Sequence, residues 1–296
     1  MATALSGLLL SMGVAAVAQN AAVVADPAPD KANPAAMETF QLPSHGALLN
    51  ALMYVAAGAG PHRTVVLLHG FPGNERNLDL AQSMRRAGWN VLFFDYRGSW
   101  GSPGDFSFTH CLEDTAAAIA WVRDAANAKK VRGDGKTVVL VGHSMGGFMA
   151  LEVGARDPSV TAVVTISAAD MGMERLQGIP AEQRAGALQG VARALAAEGM
   201  APLAGTTPEA LAEEVLSHAT EWRFRGLAAG LATRPLLVIT SDDGLRAVND
   251  ALVEAVRQAG SHAVSATHFA TDHAYSDRRI ALQEAVVGEL AALAVQ

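Results

Sequence analysis

Residues 138–150 read VVLVGHSMGGFMA and combine an apolar run, a glycine-flanked serine and the start of a helical pattern. Gly142 to Gly146 fits the pattern G-x-S-x-G, with a strand expected before it and a helix after it. Such a turn projects the serine hydroxyl above the sheet, and it requires glycine where strand and helix approach too closely for a Cβ atom. The stretch therefore predicts that Ser144 is a nucleophile, and the crowded turn is what exposes it.

The rest of the chain alternates between short runs rich in Val, Leu and Ile and longer Ala- and Leu-rich segments of helical spacing. The candidate strands are residues 48–55, 64–69, 90–95, 137–142, 161–166, 235–240 and 262–269. The candidate helices are residues 77–87, 112–126, 145–156, 247–259 and 278–293. Nearly continuous apolar strands indicate burial on both faces of a sheet. The pattern predicts an α/β fold with a mostly parallel central sheet flanked by helices.

The alternation stops between residues 168 and 233, a stretch rich in Ala, Leu, Glu and Gly without a convincing strand. It resumes at Arg234 and Pro235. We therefore expect an inserted helical cap over residues 171–234, which divides the core into residues 40–170 and 235–296.

Composition excludes several classes of function. The 296 residues hold 22 Lys and Arg against 29 Asp and Glu, a formal charge of −7, and no basic run could follow a phosphate backbone, so nucleic acid is not an expected partner. Cys111 is the only cysteine, which excludes an intrachain disulfide and a Cys/His zinc pattern. The sequence has neither GxGxxG nor HExxH, so no cofactor and no metal are expected.

The N-terminal segment resembles an export signal. The first 25 residues carry no charged side chain, and the apolar run 5–18 ends in Ala16-Val17-Ala18, an A-x-A cleavage pattern. We expect a signal peptide over residues 1–25, a linker over 26–39, and a secreted or periplasmic protein without stable membrane insertion after cleavage. No Lys or Arg precedes the apolar run, and the uncharged stretch is long enough to span a bilayer, so an uncleaved anchor is the alternative.

From Phe40 to the C-terminus the sequence resembles the α/β-hydrolase family, in which the nucleophile, the acid and the histidine follow one another along the chain. The resemblance implies a serine hydrolase with His273 as the base, on a loop between the last strand and the final helix. From there the imidazole can reach Ser144, take its proton and return it to the leaving group. His143 lies inside the elbow and His268 within a strand, so both are less free to approach the hydroxyl.

The acid that orients this histidine is expected after the strand that follows the cap, where Asp242 and Asp243 are adjacent. We favour Asp243, because the Asp-Gly turn can direct its carboxylate toward the loop of His273. Asp242 is the first alternative, and it could instead cap the following helix. Asp170, after the preceding strand, is the second.

Two loops extend the resemblance. His69-Gly70-Phe71-Pro72-Gly73 is similar to the family's HG-x-P-G loop, which implies an oxyanion hole made by the backbone N–H groups of Phe71 and Met145. Pro72 has no N–H to donate, and His69 is expected to hold the loop in shape.

The segment 95–104 resembles the family's D-x-R-G-x-G-x-S turn with one extra residue, and we expect Arg97 to be paired there with carboxylate or carbonyl groups. Trp100 and Phe106 are candidates for the mouth of the pocket.

The expected substrate is a small molecule that carries a carboxylic ester. Its hydrolysis is expected to proceed through an acyl-enzyme. A peptidase or aminopeptidase and a thioesterase share the same machinery. Recognition of a substrate amine would require carboxylates in the cap, and Glu213, Glu214 and Glu221 are available. A solvated helix face is the favoured explanation of these three residues. The alternative of another class is a hydrolase-fold protein that binds a ligand or partner without turnover.

Overall fold

A single sheet of eight strands organises the computed structural model, which describes residues 20–173, 176 and 178–294. The strands are β1 (Ala36–Ser44), β2 (Ala47–Val55), β3 (His62–Leu68), β4 (Asn90–Phe94), β5 (Gly133–His143), β6 (Ala162–Ile166), β7 (Leu236–Thr240) and β8 (Val264–His268). Their order across the sheet is β1-β2-β4-β3-β5-β6-β7-β8. Only the pairs β1–β2 and β2–β4 are antiparallel, and every other pair is parallel.

Helices cover both faces of the sheet. They are α1 (Ala21–Val24), α2 (Leu78–Arg86), α3 (Phe108–Arg123), α4 (Ala125–Lys130), α5 (Met145–Arg156), α6 (Ala181–Ala197), α7 (Pro208–His218), α8 (Ala228–Leu231), α9 (Arg246–Gln258) and α10 (Arg279–Ala294). Helices α3, α5 and α9 pack into the core on one face, whereas α2 and α10 pack into the core on the other. Strands β4, β6 and β7 are buried along their whole length, as expected for strands covered on both faces. The predicted α/β class and mostly parallel sheet are confirmed. Within the described residues, no helix combines the length and the apolar character that crossing a membrane requires.

The first strand differs from the sequence-based expectation. The linker predicted over residues 26–39 is wrong at its end, because β1 begins at Ala36 and pairs in antiparallel register with β2. Exposed residues alternate along it with half-buried or buried ones, and Pro43 lies near its end. An edge strand tolerates a proline and buries only one face, so it lacks the continuous apolar run that marks the central strands.

The chain is also folded at residue 20, within the segment predicted as a signal peptide. The Asn20 N–H donates to the Glu284 carboxylate of α10 over 2.9 Å, and Arg86 Nε of α2 donates to the Ala22 carbonyl over 2.6 Å. These bonds dock α1 between α2 and α10. The cleavage pattern and the apolar run predicted as the signal lie outside the described residues.

The segment between β6 and β7 is helical. It contains α6, α7, a 3-10 turn (Phe224–Leu227) and α8. Arg184 of α6 forms an ion pair with Glu213 of α7, and Leu203 forms an isolated bridge with Ser99 of the core. Within the described residues this segment adds helices above the carboxyl ends of the strands, where the candidate site lies.

Candidate active site

Ser144 lies in the sharp turn between β5 and α5. Its backbone has φ 56° and ψ −120°, a conformation that a residue with a side chain adopts only at an energetic cost. Backbone hydrogen bonds hold it there: its N–H donates to Ile166 O over 2.9 Å, and the Ala169 N–H donates to its carbonyl over 3.0 Å. Its side chain makes no capping bond to the helix that it precedes. The hydroxyl is therefore presented by a strained turn and is not used to cap α5.

The glycines around Ser144 have a steric reason. A Cβ atom on Gly142 would lie 2.0 Å from Gly146 O, and one on Gly146 would lie 2.2 Å from Leu68 O. One on Gly147 would lie 2.8 Å from the Ala168 Cβ. Since these contacts fall well inside van der Waals distance, strand and helix can meet at this angle only with glycine.

His273 and Asp243 form a hydrogen-bonded pair beside this turn. The His273 Nδ1–H donates to Asp243 Oδ2 over 2.7 Å, and the Asp243 side chain is only 4% exposed. Burial alone would raise the pKa of Asp243, but hydrogen bonds from His273, Ser167 and the Leu245 N–H hold it well below its usual range. The carboxylate is thus ionised, and it fixes the tautomer that leaves Nε2 of His273 able to accept a proton.

Three buried hydroxyls lie behind this carboxylate. Ser167 Oγ is 3.0 Å from both Ser241 Oγ and Tyr275 OH, and all three residues are fully buried. Ser167 and Ser241 also hydrogen-bond to Asp243. Burial raises the pKa of Tyr275 to about 12, so its phenol stays a neutral hydrogen-bond partner. We call Ser167, Ser241 and Tyr275 the hydroxyl cluster; it supplies the polar contacts that offset the burial of the Asp243 charge.

The loop after β3 lies directly against Ser144. A Cβ atom on Gly70 would lie 2.9 Å from the Ser144 Cβ. Met145 is the first residue of α5, so its N–H has no acceptor within the helix. Phe71 and Met145 line the same cavity as Ser144, Asp243 and His273. The structure therefore brings the expected oxyanion donors, nucleophile, base and acid to one place.

Family membership follows from comparison with known proteins. The family model described as the alpha/beta hydrolase fold matches residues 63–236, more than half of the chain. This chain is an alpha/beta hydrolase.

Curated relatives match the hydrolase over a shorter stretch. An uncharacterized protein of Mycobacterium tuberculosis is 28% identical over 112 residues, which cover 38% of this chain and 37% of that protein. The uncharacterized protein YfhR of Escherichia coli is 32% identical over 105 residues, covering 34% and 35%. The matches thus span little more than a third of the length of these relatives.

Solved structures resemble the hydrolase over nearly its whole length. An esterase of Pyrobaculum calidifontis superposes with a TM-score of 0.65 at 20% identity, over 90% of this chain and 88% of its own. A thermostable carboxyl esterase of Bacillus coagulans gives a TM-score of 0.65 at 15% identity, over 87% and 99%. At these identities the likeness shows the fold.

Asp242 and Asp170, the two alternative acids, make their contacts away from His273 of the hydrolase. Asp242 is 63% exposed and its Oδ1 lies 3.2 Å from His268 Nε2. Asp170 lines a different cavity, together with Arg223 and other residues of the cap. Among the described residues, Asp243 is the carboxylate that contacts His273. Within the described residues, the Ser144 hydroxyl makes no hydrogen bond to His273. Such bonds are often long in free enzymes and shorten when substrate binds.

His69 and Trp100 contact the loop after β3 of the hydrolase, where the oxyanion donor Phe71 is expected. His69 Nδ1–H donates to Gly70 O over 2.8 Å, and burial lowers the pKa of His69 to about 4, so the ring is neutral. The Trp100 indole N–H donates to Pro72 O over 2.8 Å, and the Arg76 guanidinium lies 4.3 Å from the centre of the Trp100 ring. Trp100 thus contacts the loop through Pro72 and is not among the residues that line the cavity, contrary to the expectation from sequence.

Phe106 is also placed differently from the expectation. It is buried against Phe71 and Phe108, with ring centroids 5.8 and 5.9 Å away, and Phe108 lines the cavity instead. Arg97 has the paired role that was expected: its Nε donates to the buried Asp114 carboxylate over 2.7 Å. The contacts of Phe106 and Arg97 therefore hold the loops around the site in place and do not line the cavity.

His143, the residue before Ser144, supports the loop that carries His273. Its Nε2–H donates to the backbone carbonyl of His273 over 2.9 Å, and the two ring centroids are 4.7 Å apart. Burial lowers the pKa of His143 to about 4, so its ring is a neutral donor that holds the loop of His273. Sequence reasoning missed this role, although the position inside the elbow was noted.

The cavity above Ser144 measures about 490 Å³. Its walls are mostly apolar and include Leu195 of the cap helix α6 and Glu198 directly after that helix. The lining residues are Phe71, Phe108, Ser144, Met145, Ala169, Met171, Leu195, Glu198, Asp243, Leu245 and His273. The described residues contain no group of three or more His, Cys, Asp or Glu arranged to hold a metal ion. The cavity therefore offers an apolar environment next to Ser144 and the His273 imidazole.

Proposed function

We propose that this hydrolase cleaves carboxylic esters through an acyl-enzyme on Ser144. The observation that carries the proposal is the strained elbow of Ser144 in the same cavity as His273, whose imidazole is bonded over 2.7 Å to a buried, ionised Asp243. A binding protein has no need of a strained serine beside an oriented base, so this combination favours turnover.

Each residue of the site has a part in this mechanism. His273 Nε2 accepts the proton of the Ser144 hydroxyl while the oxygen attacks the ester carbonyl. The N–H groups of Phe71 and Met145 stabilise the oxyanion, and His273 returns the proton to the leaving alkoxide. Water, activated by the same imidazole, then attacks the acyl-enzyme and releases the acid. Asp243 stays ionised and stabilises the imidazolium in both halves.

An ester suits this site better than an amide, because an alkoxide or phenolate leaves with less help from the acid than an amine does. The apolar walls fit the acyl part of such a substrate. Solved structures with this fold include proteins described as an esterase and a carboxyl esterase, which adds support by analogy.

The experiment is hydrolysis of p-nitrophenyl esters of increasing chain length by the wild type and by Ser144→Ala. We expect turnover of short and medium acyl chains, with kcat/KM falling once the chain outgrows a cavity of about 490 Å³. Ser144→Ala should lose at least about 10,000-fold in kcat. Equal hydrolysis by both proteins would contradict the proposal.

We also propose that the protein is exported. The support is the uncharged N-terminal run that ends in Ala16-Val17-Ala18. Cleavage after Ala18 would leave Gln19 as the first residue, next to the docked Asn20. N-terminal sequencing of the exported protein tests this; an intact Met1 on protein that stays in the membrane fraction would favour an uncleaved anchor.

A further inference from the structure

Glu198 is the one charged side chain of the cavity outside the proposed triad, among the residues that the structure describes. It is exposed at the rim, at the C-terminal end of the cap helix α6. Leu195, one turn earlier on the same helix, lines the apolar part of the cavity. A single carboxylate thus borders an otherwise apolar acyl site.

This position is unfavourable for the helix itself. A carboxylate at a helix C-terminus is repelled by the negative end of the helix dipole, and a basic residue there would be favoured. The last turn of α6 has no basic residue, and within the described part of the chain no salt bridge and no side-chain hydrogen bond to Glu198 is found. A charge that breaks a local stability rule without compensation is typical of a functional position.

The cap carboxylates considered from sequence are engaged elsewhere. Glu213 pairs with Arg184, and Glu221 lies 3.1 Å from His218 Nδ1. Glu214 accepts the backbone N–H groups at the start of α3, at 3.0 and 2.8 Å. These three carboxylates therefore stabilise the cap and its contact with the core, and Glu198 is the one that faces the cavity.

We propose that the hydrolase acts on esters whose acyl part carries a positive charge, and that Glu198 is its specificity-determining residue. The inference rests on the proposed ester hydrolysis. The apolar stem of the acyl chain packs against Leu195 and Met171, and the cationic end reaches the carboxylate at the rim. Pairing with an exposed carboxylate is screened by water and salt, so it contributes a preference and not an absolute requirement.

The test compares two p-nitrophenyl esters of the same shape, the 6-(trimethylammonio)hexanoate and the 7,7-dimethyloctanoate. The first ester carries a quaternary nitrogen where the second carries a quaternary carbon. The positive charge of the first ester is therefore present at every pH. We expect wild-type kcat/KM to be about fivefold higher for the cationic ester at low ionic strength. Most of the difference should be in KM, and it should shrink as salt is added.

Two variants complete the test. Glu198→Gln should reduce the ratio of the two kcat/KM values to about one, whereas Glu213→Gln, on the neighbouring cap helix, should leave the ratio unchanged. Wild-type preference for the neutral ester, or a ratio that Glu198→Gln does not change, would overturn the inference while leaving ester hydrolysis intact. Failure to hydrolyse either ester while p-nitrophenyl acetate is turned over would also overturn the inference, and failure with all three esters would refute the proposed function as well.

Discussion

Replacing Asp243 by Asn tests whether Asp243, and not its neighbour Asp242, is the acid that pairs with His273. The substitution keeps the size of the side chain and removes its charge. Asparagine can also present its amide N–H₂ toward His273 Nδ1, which favours the tautomer with the proton on Nε2. That tautomer cannot take the proton of Ser144.

The expected loss follows from the geometry. The His273 Nδ1 and Asp243 Oδ2 atoms are 2.7 Å apart, and the Asp243 side chain is 4% exposed. Two unit charges about 4 Å apart at an effective dielectric constant of about 20 interact by about 4 kcal/mol. The imidazolium that forms in the transition state loses this stabilisation, which corresponds to about 1,000-fold in kcat. The unfavourable tautomer adds to the loss, so we expect a decrease of 1,000- to about 10,000-fold.

The assay is steady-state hydrolysis of a p-nitrophenyl ester that the wild type turns over. Asp242→Asn is the matched control, because its carboxylate is 63% exposed and contacts His268, and its kcat should stay within about twofold of the wild type. Far-ultraviolet circular dichroism and the thermal midpoint verify that both variants are folded. A larger loss for Asp242→Asn than for Asp243→Asn would refute the assignment of the acid.

Three further substitutions test the frame of the site and the fold. Ser167→Ala removes a hydroxyl that supports Asp243, so kcat should fall about tenfold at nearly constant KM; an effect on KM alone would contradict a positioning role. Trp100→Phe removes the bond to Pro72 O, and we expect about tenfold lower kcat, whereas unchanged kcat would show that the oxyanion loop keeps its shape without it. Burial raises the pKa of Glu152 from 4.5 to about 7. Its contribution to the free energy of unfolding is therefore complete below pH 4.5, where the carboxyl is protonated in the folded and the unfolded protein. That contribution is lost as the pH rises through 7, because the buried carboxyl must then ionise. Denaturant unfolding should therefore find Glu152→Gln more stable than the wild type by up to about 3 kcal/mol at pH 8, and equal stabilities at pH 8 would contradict this.

The elbow and its partners were predictable because their signals are local. Gly142 and Gly146 mark a turn that only glycine permits, and the apolar run before Ser144 identifies the strand that carries it. The Asp-Gly turn after β7 and the loop after β8 both end at the carboxyl edge of a parallel sheet. Side chains on such loops converge, which is why His273 and Asp243 could be proposed to meet.

The supporting contacts were not predictable, since they join residues far apart in the chain. Ser167 and Tyr275 are 108 positions apart, and nothing in either segment indicates that their oxygen atoms are 3.0 Å apart. A polar residue directly after a buried apolar strand was the one available signal for Ser167. The choice among the cap carboxylates depended on how α6 and α7 pack, so Glu198 could not be distinguished from Glu213 by pattern.

The most direct test of the account is covalent labelling with a fluorophosphonate, which reacts with a serine activated by a neighbouring base. Mass spectrometry of the digested wild type should find one phosphonyl group, on the peptide that contains Ser144, and Ser144→Ala should remain unlabelled. Equal labelling of the two proteins, or none of either while ester turnover persists, would contradict a nucleophilic Ser144.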